Sequence, residues 1–283
     1  MKNFLIGIGG TGAKCIEHIV YSCAAGLGPE QMWTGIIDQD EANGNVSRTK
    51  ILLSKYINLR NGLKKEGKSD LGKDSDLLNT LITTNTDSVW LPLKGANPTL
   101  KEVINYNPDE VILMPLYPQY SATTSGSSIK EWKDICKKNN FNTKTSTICC
   151  YPTDDNFILA HMNEIIKKIN NLKNYKLIFS AHGLPEKNIK KGDPYQWQVE
   201  QSVNKIVKSL KIDSLDWILS YQSRVGPLKW IGPSTEDIII ENSKLGKHIV
   251  LVPIAFVSEH SETLVELDIE YKELADKSGC KNY

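Results

Sequence analysis

Four apolar runs constrain this chain most: Val-Ile-Leu-Met-Pro-Leu at 111–116, Leu-Ile-Phe-Ser at 177–180, Trp-Ile-Leu-Ser at 217–220 and Ile-Val-Leu-Val-Pro-Ile-Ala at 249–255. Each is too short for a helix and lacks the alternation of a strand with one wet face, so each reads as a strand buried on both faces. Segments of helical spacing separate them: 129–138, 157–170, with Ile158, His161, Met162, Ile165 and Ile169 on one stripe, 198–210, and about 259–275. Strands alternating with helices predict α/β architecture, with doubly wound, mostly parallel sheets in two Rossmann-like lobes.

The N-terminal hundred residues differ in texture. A short strand at 3–9 runs into Gly9, Gly10, Thr11 and Gly12, a helix follows at 13–24, and a second strand at 33–37 ends at Asp38 and Asp40. Residues 54–88 are polar, with few anchors for a core, and the turn cluster at 95–98 is the expected boundary. The segments are therefore 1–100, a glycine-loop α/β segment, and 101–283, in which 101–172 is part of the first lobe, atypical at its N-terminal end, and 173–283 is the second lobe. The chain has 34 basic and 33 acidic residues, 11 against 10 before residue 100 and 23 against 23 after it. That balance argues against nucleic acid as a partner. No apolar run reaches the ~20 residues of a membrane span, and the first glycine comes too early for a secretory leader. A cytoplasmic protein is expected. Cys15, Cys23, Cys136, Cys149, Cys150 and Cys280 show no metal-ligand spacing, which predicts mostly buried free thiols and no iron–sulfur cluster.

In open α/β sheets ligands sit beyond the carboxyl ends of the strands. Those ends carry a loop crowded with Tyr, Thr, Ser and Gly at 117–128, His182 between a buried strand and Gly183, Arg224 after Tyr221, and His260 before a helix. A neutral imidazole serves as base or metal ligand, and equally as an ordinary structural hydrogen-bonding group. Leu264, Leu267, Tyr271 and Leu274 form the apolar stripe of the last helix, while Glu262, Glu266 and Glu270 repeat every four residues on another. That second stripe is either a solvated acidic face or a carboxylate ladder for a divalent cation. Tyr117, Tyr120, Tyr195, Trp197, Tyr221 and Trp230 cluster in the same loops, as core residues or as walls for a large flat ligand.

Five segments carry a resemblance: Leu-Met-Pro-Leu-Tyr-Pro-Gln-Tyr-Ser at 113–121 with 123–128, Ser-Ala-His-Gly-Leu-Pro at 180–185, Gly-Asp-Pro-Tyr-Gln-Trp-Gln at 192–198, 221–235, and 252–271. From about residue 101 onward the sequence closely resembles ferrochelatase. The resemblance implies insertion of ferrous iron, as substrate, into protoporphyrin IX to form protohaem, with no permanently bound cofactor. It implies His182 and Glu262 as catalytic and metal-binding residues facing each other across the porphyrin. Glu266 and Glu270 would line a metal or proton path, and Tyr117, Tyr120, Ser121, Thr124 and Trp230 would contact the porphyrin. A peripheral membrane contact is compatible with it. The family's opening strand and porphyrin lip are not visible in 1–100, and its closing strand and helix would follow residue 283, so truncation and slow turnover are expected.

Residues 6–14 and 35–40 are instead similar to the start of bacterial tubulin-like proteins, and a fusion would account for the mixture. A glycine turn before a helix suits phosphate, and Asp38 suits a ribose, so Gly9, Gly10, Thr11, Gly12 and Asp38 form a nucleotide site for GTP or a relative, or merely a tight turn. The rival to the enzyme is a nucleotide-binding or assembly module joined to an inactive chelatase remnant.

Overall fold

Parallel strands organise everything that follows. The computed structural model describes residues 2–38, 44–65, 77–84, 86, 90–92, 103–170, 172–224, 226–257 and 262–283. The chain divides into two units, residues 1–116 with 129–148 and residues 117–128 with 149–283.

The first unit contains β1 (Lys2–Ile8), α1 (Gly9–Ala24), β2 (Gln31–Asp38), α2 (Gly44–Lys65), β3 (Leu81–Ile82), β4 (Trp90–Pro92), β5 (Glu110–Leu113) and β6 (Lys144–Thr147). Most of α3 (Ser125–Lys138) belongs to it as well. Its sheet is parallel, in the order β3-β2-β1-β5-β6, with β4 also on β2. The two faces of the sheet are covered separately. Ile16, Val20 and Cys23 of α1 meet Val46, Leu53 and Tyr56 of α2 over Met32 and Ile36. Phe4 and Val111 pack with Val103, Trp132 and Phe141, and Phe4 stacks on Trp33 at 4.2 Å.

In the second unit, β7 (Tyr175–His182) lies between β8 (Trp217–Gln222) and β9 (His248–Pro253), all parallel. Around them are α4 (Asp155–Ile169), α5 (Glu186–Lys190), α6 (Tyr195–Leu210), α7 (Thr235–Lys244), a π-helix (Glu262–Glu270) and α8 (Tyr271–Lys277). Strand alternation divides the core. Leu177, Phe179 and Ala181 pack with Ile165 of α4 and Val199, Val203 and Ile206 of α6. Ile178 packs the other way, with Ile239 of α7 and Leu267, Tyr271 and Ala275. Asp216 ties the strand starts together, accepting from Lys176 and Lys247, each at 2.6 Å. Burial pushes its carboxyl up, but the two ammonium groups outweigh that and leave it below the usual carboxylate range.

The architecture is the expected one, with local corrections. The polar stretch from 54 onward contains the end of a 22-residue helix, because Leu53 and Tyr56 supply the anchors. Sequence reading also missed α7, whose buried face is small: Thr235, Ile238, Ile239, Asn242 and Ser243. β5 is shorter than expected and leaves Ile112 exposed, so the run at 111–116 is not covered on both faces. Leu264 is exposed, while Leu267 and Tyr271 are buried, because the helix is of π type up to Glu270 and hydrogen-bonds i to i+5. Only Cys23 is buried; Cys149 is exposed and the other thiols are half-buried. The turn cluster at 95–98 and Asp40 lie outside the described residues, and the expected boundary near 100 falls within a single sheet, where Phe4 of β1 pairs with Val111 of β5.

The glycine-rich turn is tighter than expected, since α1 begins at Gly9 itself. A Cβ on Gly7 would lie 2.4 Å from the Gly12 carbonyl oxygen, and one on Gly12 would lie 2.4 Å from the Gly7 carbonyl carbon. Gly62 in α2 has nothing within 4 Å of such a Cβ. Gly7→Ala should therefore destabilise the protein by about 1–3 kcal/mol through overpacking. Gly62→Ala should stabilise it by about 0.5–1 kcal/mol. Urea midpoints measure both, and equal effects at the two sites would refute this packing.

Candidate active site

Parallel pairing brings the carboxyl ends of β7, β8 and β9 to one side of their sheet, with His182 opposite Gln222 and Ser180 opposite both Ser220 and Pro253. Beyond His182 the chain passes close to the end of β8. The Gly183 amide donates to the Gln222 carbonyl at 2.8 Å. A Cβ on Gly183 would stand 2.8 Å from that same oxygen and 3.3 Å from both Arg224 Cγ and Trp230 Cε3. Only glycine leaves room for this crossing. Leu184 then accepts from the Ile231 amide at 3.0 Å, and Pro185 bridges Trp230, holding Trp230 against the loop.

His182 is half-buried, and its Nδ1 lies 2.7 Å from the Gly183 carbonyl. A carbonyl oxygen only accepts, so Nδ1 donates here, and in the neutral form of the ring the lone pair then falls on Nε2. That is the form required of a base or a metal ligand. The phenol of Tyr195 donates to the His182 carbonyl at 3.0 Å, fixing the backbone behind it.

A buried polar chain runs behind this end of the sheet. Ser180 Oγ donates to Gln222 Oε1 at 2.6 Å and lies 2.9 Å from Thr235 Oγ1, which is also 2.9 Å from Ser220 Oγ. Gln222 Nε2 donates to Glu266 at 3.3 Å. Glu266 also accepts from the Ser223 amide at 3.1 Å, from Ser223 Oγ at 2.6 Å and from the Tyr271 phenol at 3.0 Å. Four donors fix this carboxylate and pin the π-helix to β8. Burial, with Glu266 beside it, holds the Tyr271 phenol above its ordinary range.

The loop at 117–128 is built onto the start of α6. Asp193 Oδ2 accepts from Ser121 Oγ at 2.9 Å and from the Ala122 amide at 2.8 Å, while Oδ1 accepts from the Tyr195 amide at 3.0 Å. Gln198 Oε1 accepts from the Tyr120 amide at 2.7 Å, and Gln119 is buried on Ser202 at 3.0 Å.

The expected site residues thus fall into groups. His182, Trp230, Tyr117, Tyr120, Ser121, Thr124, Glu266 and Glu270 all lie in the second unit. Tyr117 is 48% exposed, whereas Ser121 is buried and committed to Asp193. Of the aromatics, Trp197 is 60% exposed; Tyr221 at 1% and Tyr195 at 8% are core, so neither forms a wall. Arg224 reaches Asp237 at 3.7 Å, and Glu270 is exposed. Glu262 opens the π-helix, but its side chain, like His260, lies outside the described residues. Gly9, Gly10, Thr11 and Gly12 form the first turn of α1, and Asp38 ends β2, all in the first unit. Among the described residues no three His, Cys, Asp or Glu cluster as a metal site. Sequence reading missed Asp193, Gln198, Gln222 and Thr235. The signal for Asp193 was present in Gly-Asp-Pro at 192–194, where an aspartate accepting from the amide two residues on makes an Asx-turn.

Comparison with known proteins decides the lineage. The ferrochelatase family model matches residues 89–283. The chain belongs to the ferrochelatase family. It is 82% identical over 194 residues to a ferrochelatase of Pelagibacter ubique (strain HTCC1062), covering 69% of this chain and 56% of that protein. It is 52% identical over 193 residues to one of Rickettsia prowazekii (strain Madrid E), covering 67% and 55%. The chain therefore spans little more than half the length of these ferrochelatases. Among solved structures, SirB from Bacillus subtilis with Fe3+ matches with a TM-score of 0.50 at 11% identity, over 100% of this chain and 85% of that one. This likeness concerns the fold alone, mostly parallel α/β. No helix among the described residues is long and apolar enough to cross a membrane.

Asp193→Ala should remove three hydrogen bonds to a charged acceptor and cost about 1.5–3 kcal/mol. Denaturant unfolding measures the cost, and amide exchange should rise at Ala122 and Tyr195. Unchanged exchange at both amides would mean that Asp193 does not hold this loop.

Proposed function

We propose that the chain carries the metal-insertion site of a protoporphyrin ferrochelatase, with ferrous iron and protoporphyrin IX as substrates and protohaem as product. The observation that carries this reading is the membership of residues 89–283 in the family, together with an imidazole held in the Nδ1–H form at a strand end. Two pyrrole N–H protons must leave as the metal enters. His182 Nε2 takes the proton from one pyrrole nitrogen, and the second leaves to solvent along the acidic path of Glu266 and Glu270. The Nδ1–H bond to the Gly183 carbonyl keeps the ring from turning away. Glu262 is the oxygen donor for the incoming iron, and Glu266 and Glu270 continue the acidic path along the π-helix. Glu266, already accepting four hydrogen bonds, holds that path in register with β8. Tyr117, Tyr120, Thr124 and Trp230 contact the porphyrin; Ser121 acts through Asp193. Insertion requires a distorted macrocycle held in place, since a displacement of about 1 Å costs on the order of a hundredfold in rate.

Haem formation from ferrous iron and protoporphyrin, followed spectrophotometrically, tests the reading beside a full-length relative. The relative should approach the ~10 per second typical of enzymes, and this chain should form haem in the same assay and show tryptophan fluorescence quenched by porphyrin; the absence of both haem and quenching would overturn the reading. His182→Ala should abolish insertion in either protein and leave porphyrin quenching in place. A variant that inserts iron as fast as its parent would remove His182 from the mechanism.

The second reading concerns Gly9, Gly10, Thr11, Gly12 and Asp38 as a nucleotide site, and rests on the helix that starts directly at Gly9. Millimolar GTP should then raise the melting temperature through binding to the folded state. No shift would leave the glycines as the tight turn that the Gly7–Gly12 contact already requires.

A further inference from the structure

Cys149 and Cys150 follow β6 after Ile148, in a stretch without regular secondary structure. Their sulfurs are 2.9 Å apart, Cys149 is exposed and Cys150 is half-buried. Cys150 Sγ accepts from Gln198 Nε2 at 3.6 Å, while the other end of that amide, Oε1, accepts from the Tyr120 amide at 2.7 Å. The next residue, Tyr151, donates its amide to the Pro118 carbonyl at 2.8 Å. The thiol pair is thus joined at two points to the loop at 117–128.

We propose that Cys149 and Cys150 form a reversible oxidation site that closes to a vicinal disulfide with a disulfide oxidant such as oxidised glutathione, and that closure loosens the hold of Gln198 on the 117–128 loop. Exposure assigns the roles. The Cys149 thiolate attacks one sulfur of oxidised glutathione, forming a mixed disulfide and expelling a glutathione thiolate. The Cys150 thiolate then attacks Cys149 Sγ, which forms the Cys149–Cys150 bond and expels the second glutathione thiolate. The two cysteine protons pass through solvent to the two leaving thiolates, so one oxidised glutathione becomes two reduced ones. Burial, then Cys149 beside it, pushes the Cys150 thiol up to about 11, which suits a protected second thiol rather than the first attacker.

Geometry also sets the character of the bond. Neighbouring Cα atoms lie about 3.8 Å apart across a trans peptide, below the usual disulfide range of about 4.4–6.8 Å. The closed ring is therefore strained and belongs with the labile, easily reduced disulfides rather than the structural ones. The inference does not depend on the chelatase reading, and its test does not use turnover.

The full chain, equilibrated in glutathione buffers of increasing oxidised fraction and then acid-quenched, gives a tryptic peptide 145–167 containing these two cysteines and no other. That peptide should lose two hydrogens without retaining glutathione, and recover them when the buffer is made reducing. Cys150→Ser should instead keep one glutathione on Cys149. A persistent adduct on the unaltered chain, or a bridge from either residue to Cys136 or another cysteine, would overturn the site. Hydrogen exchange at the Tyr120 amide should speed up on oxidation of the unaltered chain and stay constant in oxidised Cys149→Ser. Equal exchange in the oxidised and reduced unaltered chain would overturn the link to the loop.

Discussion

The second unit depends on one close crossing of backbone, Gly183 against the end of β8, sealed by the hydrogen bond from its amide to the Gln222 carbonyl. His182 precedes that crossing and directs its Nδ1–H at the Gly183 carbonyl. Trp230 lies against it from the far side, within 3.3 Å of where a side chain would begin. Gln222, whose carbonyl seals it, uses its side chain to connect Ser180 with Glu266 and so with the π-helix. An imidazole, an indole and the root of the π-helix are thereby fixed by one pair of strand ends.

Sequence showed the frame well and the supports poorly. The runs at 177–180, 217–220 and 249–255 are strands because their residues are apolar on both faces; which face each residue takes, Ile178 on one and Leu177 and Phe179 on the other, is shown by the structure. Aromatic residues misled. Tyr195 and Tyr221 sit among loop-like neighbours, yet both are core, because Tyr195 opens the buried face of α6 and Tyr221 is still within β8. The missed residues, Asp193, Gln198, Gln222 and Thr235, act through partners tens of residues away, and single-residue patterns contain no such information. The π-helix was read as an ordinary helix because its glutamates at 262, 266 and 270 keep a spacing that suits either winding.

The two units carry different weights of argument. The family model covers the second unit and reaches into the first, while the fold likeness to SirB extends over the whole chain. In the first unit, the glycines at 7 and 12 are explained by the approach of a strand to the helix that follows it. The relatives are nearly twice as long as the stretch they share with this chain.

The central claim is that the strand end at His182 presents an imidazole fixed with its proton on Nδ1 and its lone pair on Nε2. Nitrogen-15 NMR of the histidine rings, assigned by comparison with His182→Ala, measures this directly at a pH where the ring is neutral. The account predicts a protonated Nδ1 and an unprotonated Nε2 at His182, with Nε2 the nitrogen whose shift moves when a diamagnetic divalent metal such as zinc is added. A ring carrying its proton on Nε2, or a metal shift at Nδ1, would contradict it.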